Sequence, residues 1–344
     1  MNTEIFKTDP EKIDIGAIER CANIIKNGGL VAFPTETVYG LGADATDAGA
    51  AARIYAAKGR PSDNPLIIHV ATPEDAEKYA YTSPLYYRLA EAFMPGPLTV
   101  ILPKKDSIPS TVTGGLDTVA VRCPSHKVAR ALIEAAGVPI AAPSANLSGS
   151  PSPTCADHVI KDMSGKIEAI VDGGESEIGL ESTIVKIDGD AAVMLRPGAV
   201  TADALSCVCE KVEISSAVTE ALKENERPLS PGMKYRHYAP SSPLVLIDGT
   251  PEDTLEFFKQ AQRNEKCVIL CYTEELANLS KEGLIDVGRC EDLATQAQRL
   301  FAALRAADGM ECEMIYAHLP PKHGLGLALY NRMIRAAAHT VKKI

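Results

Sequence analysis

Long apolar runs are missing from this chain. Apolar stretches such as Leu30–Phe33 and Leu98–Leu102 fall far short of the roughly 20 residues a membrane span requires, so no membrane-crossing helix is expected. The N-terminus, MNTEIFKTDPEKID, is acidic and lacks the basic, apolar and small-residue succession of a secretory signal. The expectation is a cytoplasmic protein. A disulfide framework is missing too, because the nine cysteines are odd in number and scattered, which points to reduced thiols. The close pairs Cys207/Cys209 and Cys267/Cys271 lack a second pair or a His partner at zinc-site spacing, and read as small buried apolar residues. No GxxxxGK[ST] and no GxGxxG loop occurs, so any nucleotide must be held in another way. An excess of basic charge is absent as well. The net charge of -10 opposes a general phosphate-backbone binder, and a basic cluster must be local.

What is present is a globular composition, 46% apolar and 23% charged, which excludes disordered and fibrous classes. A chain of 344 residues accommodates two domains of unequal size. The first two thirds alternate helical and strand patterns between Gly and Pro punctuation, the signature of an α/β domain. Ile15, Ile18, Ala22 and Ile25 fall at helical spacing, and Gly28-Gly29 supplies the stop. Further helices are expected over 48–58 and 126–136, with another opened by Thr72-Pro73. Strands are expected at Leu30–Phe33, Leu66–Val70, Leu98–Leu102, Val119–Arg122 and Val138–Ala142. Ser182–Asp188 and Ala192–Arg196 flank a Gly-Asp pair and predict a hairpin. From 209 to 241 no period is sustained, so this stretch reads as an ordered linker. Beyond it, Leu244–Ile247, a helix from 251, Val268–Cys271 and helices near 291–307 and 327–341 predict a small βαβ-like unit. The expected domains are therefore 1–208, a linker over 209–241, and 242–344.

Four clusters in the first domain follow a strand or helix directly, where functional loops sit. In PTETVYGLG, Pro34–Gly42, the glycines at 40 and 42 would let backbone approach a ligand, and Thr35, Thr37 and Tyr39 offer hydroxyls. AAKGRPSDNPLIIHV places Lys58 and Arg60 around Gly59, just past a helix, with Asn64 and His69 downstream. Lysine is a point charge suited to phosphate, and arginine a planar fork for phosphate or carboxylate; a helix-ending basic pair on a solvated face is the alternative. VAVRCPSHK ends a strand on Arg122. PIAAPSANLSGSPSPT delivers Ser144, Asn146, Ser148, Ser150 and Ser152 on a loop leading to Thr154, the expected helix cap, although Ser and Asn there also serve as ordinary turn formers. Repetition matters more than any one cluster, since several junctions present anion-compatible groups where an open α/β sheet binds ligands.

Taken in order, PTETVYGLG, KGRP…NPLIIH, VAVRCP and PSANLSG resemble the YrdC-like domain of threonylcarbamoyl-AMP synthases, over about residues 12–205. ESTIV, LRPG, SPGMKYRHYAP and GLGLALYNRMIRAA are similar to the longer form, which carries an additional C-terminal domain. The resemblance implies a YrdC-like twisted open sheet with flanking helices, plus a smaller Rossmann-like α/β domain. It implies a Lys-x-Arg and Ser-x-Asn tetrad at Lys58, Arg60, Ser144 and Asn146 as the catalytic residues. ATP would meet Arg60, Asn64, Thr118, Ser144, Ser152, Arg196 and Tyr235. L-threonine would meet Thr37, His69, Arg122, Ala142 and Ser182, with the Arg122 fork matched to its carboxylate.

The implied reaction joins L-threonine, bicarbonate and ATP into threonylcarbamoyl-adenylate, which a tRNA threonylcarbamoyl transferase then consumes. Displacement at the α-phosphorus demands positioning and charge neutralisation more than a strong base. Magnesium is expected with the ATP, without a dedicated protein metal site. SPGMKYRHYAP, Ser230–Pro240, is expected to act as a lid over the fragile mixed anhydride, with Tyr235 on the nucleotide; the alternative is that its aromatics only join the two domains. An RNA-binding YrdC-like module with direct tRNA contact would need a broad basic surface. A hydrogenase-maturation type carbamoyltransferase would add an acylphosphatase module and paired CxxC fingers, and neither is in this sequence.

Overall fold

The computed structural model describes residues 1–219 and 238–344. Two compact units emerge: one takes Met1–Ser148, Ser152–Glu177 and the described chain from Glu181 to 219, and the other takes the chain from 238 together with Gly149–Pro151 and Ile178–Leu180. No helix among the described residues is long and apolar enough to cross a membrane. All nine cysteines are free thiols.

In the first unit the strands are β1 (Glu4–Lys7), β2 (Val31–Phe33), β3 (Gly40–Asp44), β4 (Ile67–His69), β5 (Leu98–Pro103), β6 (Thr118–Arg122), β7 (Ile140–Ala142), β8 (Ala169–Asp172), β9 (Thr183–Asp188), β10 (Ala191–Arg196) and β11 (Lys211–Ile214). They form one mixed sheet in the order β1-β8-β2-β3-β7-β4-β6-β5-β9-β10-β11. Side chains alternate across a strand, and the cores follow that rule. Ala32, Ile68, Val100, Val121 and Ala141 pack on one face, and Val31, Phe33, Ile140, Ala142 and Val171 on the other. The helix Ile15–Lys26 starts at Asp14, whose carboxylate accepts from the Ala17 N–H at 3.0 Å, and buries Ile18, Cys21, Ala22 and Ile25. The helix Ala48–Lys58 starts at Asp47 and ends at Gly59, whose φ of 61° is the left-handed cap that glycine provides.

Several expectations change. The glycines of PTETVYGLG lie within β3 rather than in a ligand loop. A Cβ at Gly42 would meet Ile140 at 2.7 Å and Phe33 at 2.8 Å, and one at Gly40 would meet the Phe33 ring at 3.2 Å. They let the sheet close over Phe33. Thr154 does not cap the helix Ala156–Met163; that position is Cys155, and Thr154 is buried with its N–H on His158 Nδ1 at 3.3 Å. The turn after Thr72 is a 3-10 helix, Pro73–Lys78. The first sheet also reaches beyond the expected boundary at 208, because β11 pairs in parallel with β10. Its residues are mostly exposed, so this edge strand has no buried alternation to read.

The second unit holds a five-stranded parallel sheet of β12 (Leu244–Asp248), β13 (Cys267–Cys271), β14 (Leu284–Asp286), β15 (Met314–His318) and β16 (Val341–Lys343), in the order β14-β13-β15-β12-β16. The helices Pro251–Asn264 and Leu293–Asp308 stand close to their expected places. The last helix is Gly326–Ala336 rather than 327–341: positive φ at Ala338 and His339 ends it, and the chain enters β16. Val341 begins a strand beside β12.

Because Gly42 has no room for a methyl, Gly42→Ala is expected to lower unfolding stability by about 1–3 kcal/mol through overpacking. Urea denaturation should show a lower midpoint with an unchanged slope.

Candidate active site

Sheet register collects the polar residues. His69 pairs with Arg122 across β4 and β6, and Arg122 pairs with Thr99 across β6 and β5. Thr99 and Ser182 hydroxyls lie 2.7 Å apart. These side chains share a face with a small apolar cluster of Ile67, Ile101, Ala120, Ile184 and Leu195. A register shift between Met194 and Arg196 places Arg196 opposite Ile184, the kind of bulge that re-aims a side chain. Arg196 then donates to the Ser182 carbonyl at 3.0 Å and to its hydroxyl at 3.1 Å. Ala142 closes this face from β7, in register with Ile67.

His69 is 3% exposed, and its Nδ1 lies 3.2 Å from the Ile140 carbonyl. A carbonyl only accepts, so Nδ1 carries the hydrogen and Nε2 is left as an acceptor. Burial first, and then the Arg122 charge, push its pKa down to about 3. Arg122 forms a buried ion pair of 2.7 Å with Glu36, and its Nε faces the Gly96 carbonyl at 3.4 Å. Burial would raise the Glu36 pKa, but the guanidinium and nearby backbone N–H groups outweigh it and hold the carboxyl below its usual range. Thr35 donates to the Val38 carbonyl at 2.6 Å, so the 2.9 Å contact between Thr35 and Thr37 takes its hydrogen from Thr37. The Thr37 oxygen is thereby presented as an acceptor.

A second group forms around the end of the helix Ala48–Lys58. Lys58 is not a surface cation past that helix. It is the last helical residue, 3% exposed, and its ammonium donates to the Ser144 carbonyl at 2.6 Å and to the Asn146 carbonyl. In return the Ser148 N–H donates to the Lys58 carbonyl at 2.9 Å. The Ser144 hydroxyl donates to Asn146 Oδ1 at 2.5 Å. Arg60 bends back to the carbonyls of Asn64 at 3.3 Å and Pro65 at 3.2 Å. Thr118 is half-buried at the start of β6, two positions before Ala120, the partner of Ile67. It therefore stands toward the Asn64–Pro65 end of the strand pair, about 13 Å along the strand from Arg122. Ser152 is buried and donates to Glu181 at 2.6 Å. Tyr235, and the expected lid except for its last residues Tyr238–Pro240, lie outside the described residues.

The structure therefore unites residues from four separate motifs. One family, described as telomere recombination, has a sequence model that matches residues 23–198. Another, described as threonylcarbamoyl-AMP synthase, C-terminal domain, matches residues 200–338. The threonylcarbamoyl-AMP synthase of Bacillus subtilis is 44% identical over 341 residues, covering 98% of this chain and 96% of its own. The chain belongs to the threonylcarbamoyl-AMP synthase family. The Pyrococcus abyssi threonylcarbamoyl-AMP synthase is likewise 44% identical, over 97% of this chain and 98% of its own. The crystal structure of P. abyssi Sua5 complexed with L-threonine superposes with a TM-score of 0.90 at 42% identity, covering 99% of this chain and all of that one.

In this family member, sequence reasoning passed over Glu36, Thr99 and Glu181. Glu36 carried a signal, as the single acid in a motif otherwise rich in hydroxyls. Thr99 and Glu181 carried none, because their contacts depend on register and on loop packing.

The His69 environment sets a pH dependence. In the unfolded chain this imidazole takes a proton near its ordinary 6.5, but in the fold only near about 3. Between those values the unfolded state binds more protons, so acid removes stability, by about 2 kcal/mol from about pH 7 to about pH 5. His69→Gln should flatten that slope, as read from urea midpoints at the two pH values.

Proposed function

We propose that this chain forms threonylcarbamoyl-adenylate and pyrophosphate from L-threonine, bicarbonate and ATP. The observation that carries the reading is the junction at Ser182. Its hydroxyl touches Thr99 on the side of Arg122 and His69, and also receives the Arg196 guanidinium, so an amino-acid end and an anion end meet there. Full-length similarity to threonylcarbamoyl-AMP synthases favours this activity over an RNA-binding module or a hydrogenase-maturation carbamoyltransferase.

The threonine carboxylate takes the Arg122 guanidinium. Thr37 and His69 offer acceptors to the amine and hydroxyl, and Ala142 and Ser182 complete the wall. The neutral amine adds to carbon dioxide derived from bicarbonate and loses a proton, forming a carbamate. A carbamate oxygen attacks the α-phosphorus, the new P–O bond forms, and the bond to pyrophosphate breaks. Arg60, Asn64, Thr118, Ser144, Ser152 and Arg196 hold the nucleotide, and magnesium arrives bound to the triphosphate as part of the substrate. Lys58 supports this set by fixing Ser144 and Asn146 through their carbonyls, and adds its charge to the phosphate end. Cations already held in place by hydrogen bonds need little reorganisation as charge moves to the leaving group. The product is a mixed anhydride open to hydrolysis, which suits direct hand-over to a tRNA threonylcarbamoyl transferase.

Pyrophosphate release should require all three substrates together; release that ignores threonine would overturn the assignment. Arg60→Ala is expected to lower the rate by about two to three orders of magnitude with folding preserved, as for a lost electrostatic donor. Lys58→Ala should lose activity and also unfold at lower urea, because two carbonyls of the Ser144–Asn146 turn lose their buried donor.

A further inference from the structure

Glu36 is a buried carboxylate that the reaction as written leaves unused. It is 3% exposed, and its partner Arg122 is 4% exposed. The pair is 2.7 Å apart, through Arg122 Nη2 and Glu36 Oε1. Arg122 Nε is turned toward the Gly96 carbonyl. With Nη2 and Nε directed into the protein, Nη1 has no hydrogen-bond partner among the described residues. The guanidinium is planar and rigid, so engaging one edge sets the direction of the remaining donors.

We propose that Glu36 is a positioning residue for the amino-acid substrate, orienting Arg122 and balancing its charge so that the pocket accepts a zwitterion rather than any anion. This rests on the reading above in which Arg122 grips the threonine carboxylate. Charge arithmetic supports it. Arg122 and Glu36 cancel, His69 beside them is neutral by its depressed pKa, and a substrate with one carboxylate and one amine leaves the closed pocket near neutrality. A buried cation without that carboxylate would attract phosphate and other anions into the threonine end. The same ion pair excludes Glu36 as general base for the amine, since its carboxyl is held below the ordinary range and is committed to Arg122.

The test uses the full-length enzyme, with calorimetric titration of L-threonine and, separately, of Mg-ATP. Glu36→Gln keeps the shape and removes the charge. It should weaken threonine binding about tenfold or more, as expected when one partner of a buried pair is neutralised, and leave Mg-ATP affinity within about twofold. The pyrophosphate assay should show a raised KM for threonine with kcat at saturation nearly unchanged. Glu36→Asp, which restores the charge at shorter reach, should recover part of the loss. The Arg122→Lys losses should not add to those of Glu36→Gln in the double variant. Parallel loss of Mg-ATP and threonine affinity, or full threonine affinity in Glu36→Gln, would overturn the positioning role. Should Glu36→Gln not fold, Glu36→Asp carries the same comparison, and unchanged threonine affinity in it together with loss of Mg-ATP affinity also overturns the role. Unchanged threonine affinity in Arg122→Lys would instead overturn the placement of the carboxylate on Arg122, on which this proposal rests.

Discussion

The ammonium of Lys58 ties distant parts of the first unit together. A buried cation is costly unless it is hydrogen-bonded, and here the bonds go to the backbone carbonyls of Ser144 and Asn146. Those two residues stand far along the chain from Lys58, so one side chain joins the end of a helix to the turn after β7. The turn answers with the Ser148 N–H on the Lys58 carbonyl. Gly59 makes this possible: its left-handed conformation stops the helix at once and sends Arg60 back toward Asn64 and Pro65. A longer helix would carry Arg60 off in another direction.

The mixed sheet supplies the second constraint. β4 runs parallel to β6 and antiparallel to β7, while β5 runs antiparallel to β6 and parallel to β9. Residues that end β4 and β6 therefore lie beside residues that begin β5 and β9, and His69, Arg122, Thr99 and Ser182 become neighbours. The opposite face of the same strands packs the large apolar core. Alternation thus separates a rigid apolar side from a polar side, and a site built on strands is held more tightly than one built on loops alone.

Most of this was legible in the sequence at the level of elements and motifs. The helices Ile15–Lys26, Ala48–Lys58 and Lys127–Ala136 and the hairpin of β9 and β10 follow from period, caps and turn residues. Register was not legible. It brings Thr99 to Ser182 and turns the glycines of β3 into contact points for Phe33, while the packing of the loop between β2 and β3 decides that Glu36 faces Arg122. Edge strands were missed for a related reason, since β11 and β16 are mostly exposed and carry no buried alternation. The final helix was read too long because Ala-rich sequence favours helix up to the point where positive φ at Ala338 and His339 turns the chain.

The cations of the candidate site are held by different kinds of partner. Arg60 and Arg196 donate to carbonyl and hydroxyl oxygens, and Lys58 does the same with carbonyls. Carbonyl and hydroxyl oxygens orient a cation through directional bonds, which suits the triphosphate of the proposed reaction. Arg122 is met by a full negative charge at 2.7 Å. Its outward potential is reduced while its directional donors remain, which suits a ligand that carries both signs. In the proposed reaction one basic residue type serves a polyanion and a zwitterion in the same fold, and the Glu36 carboxylate beside Arg122 marks the zwitterion end.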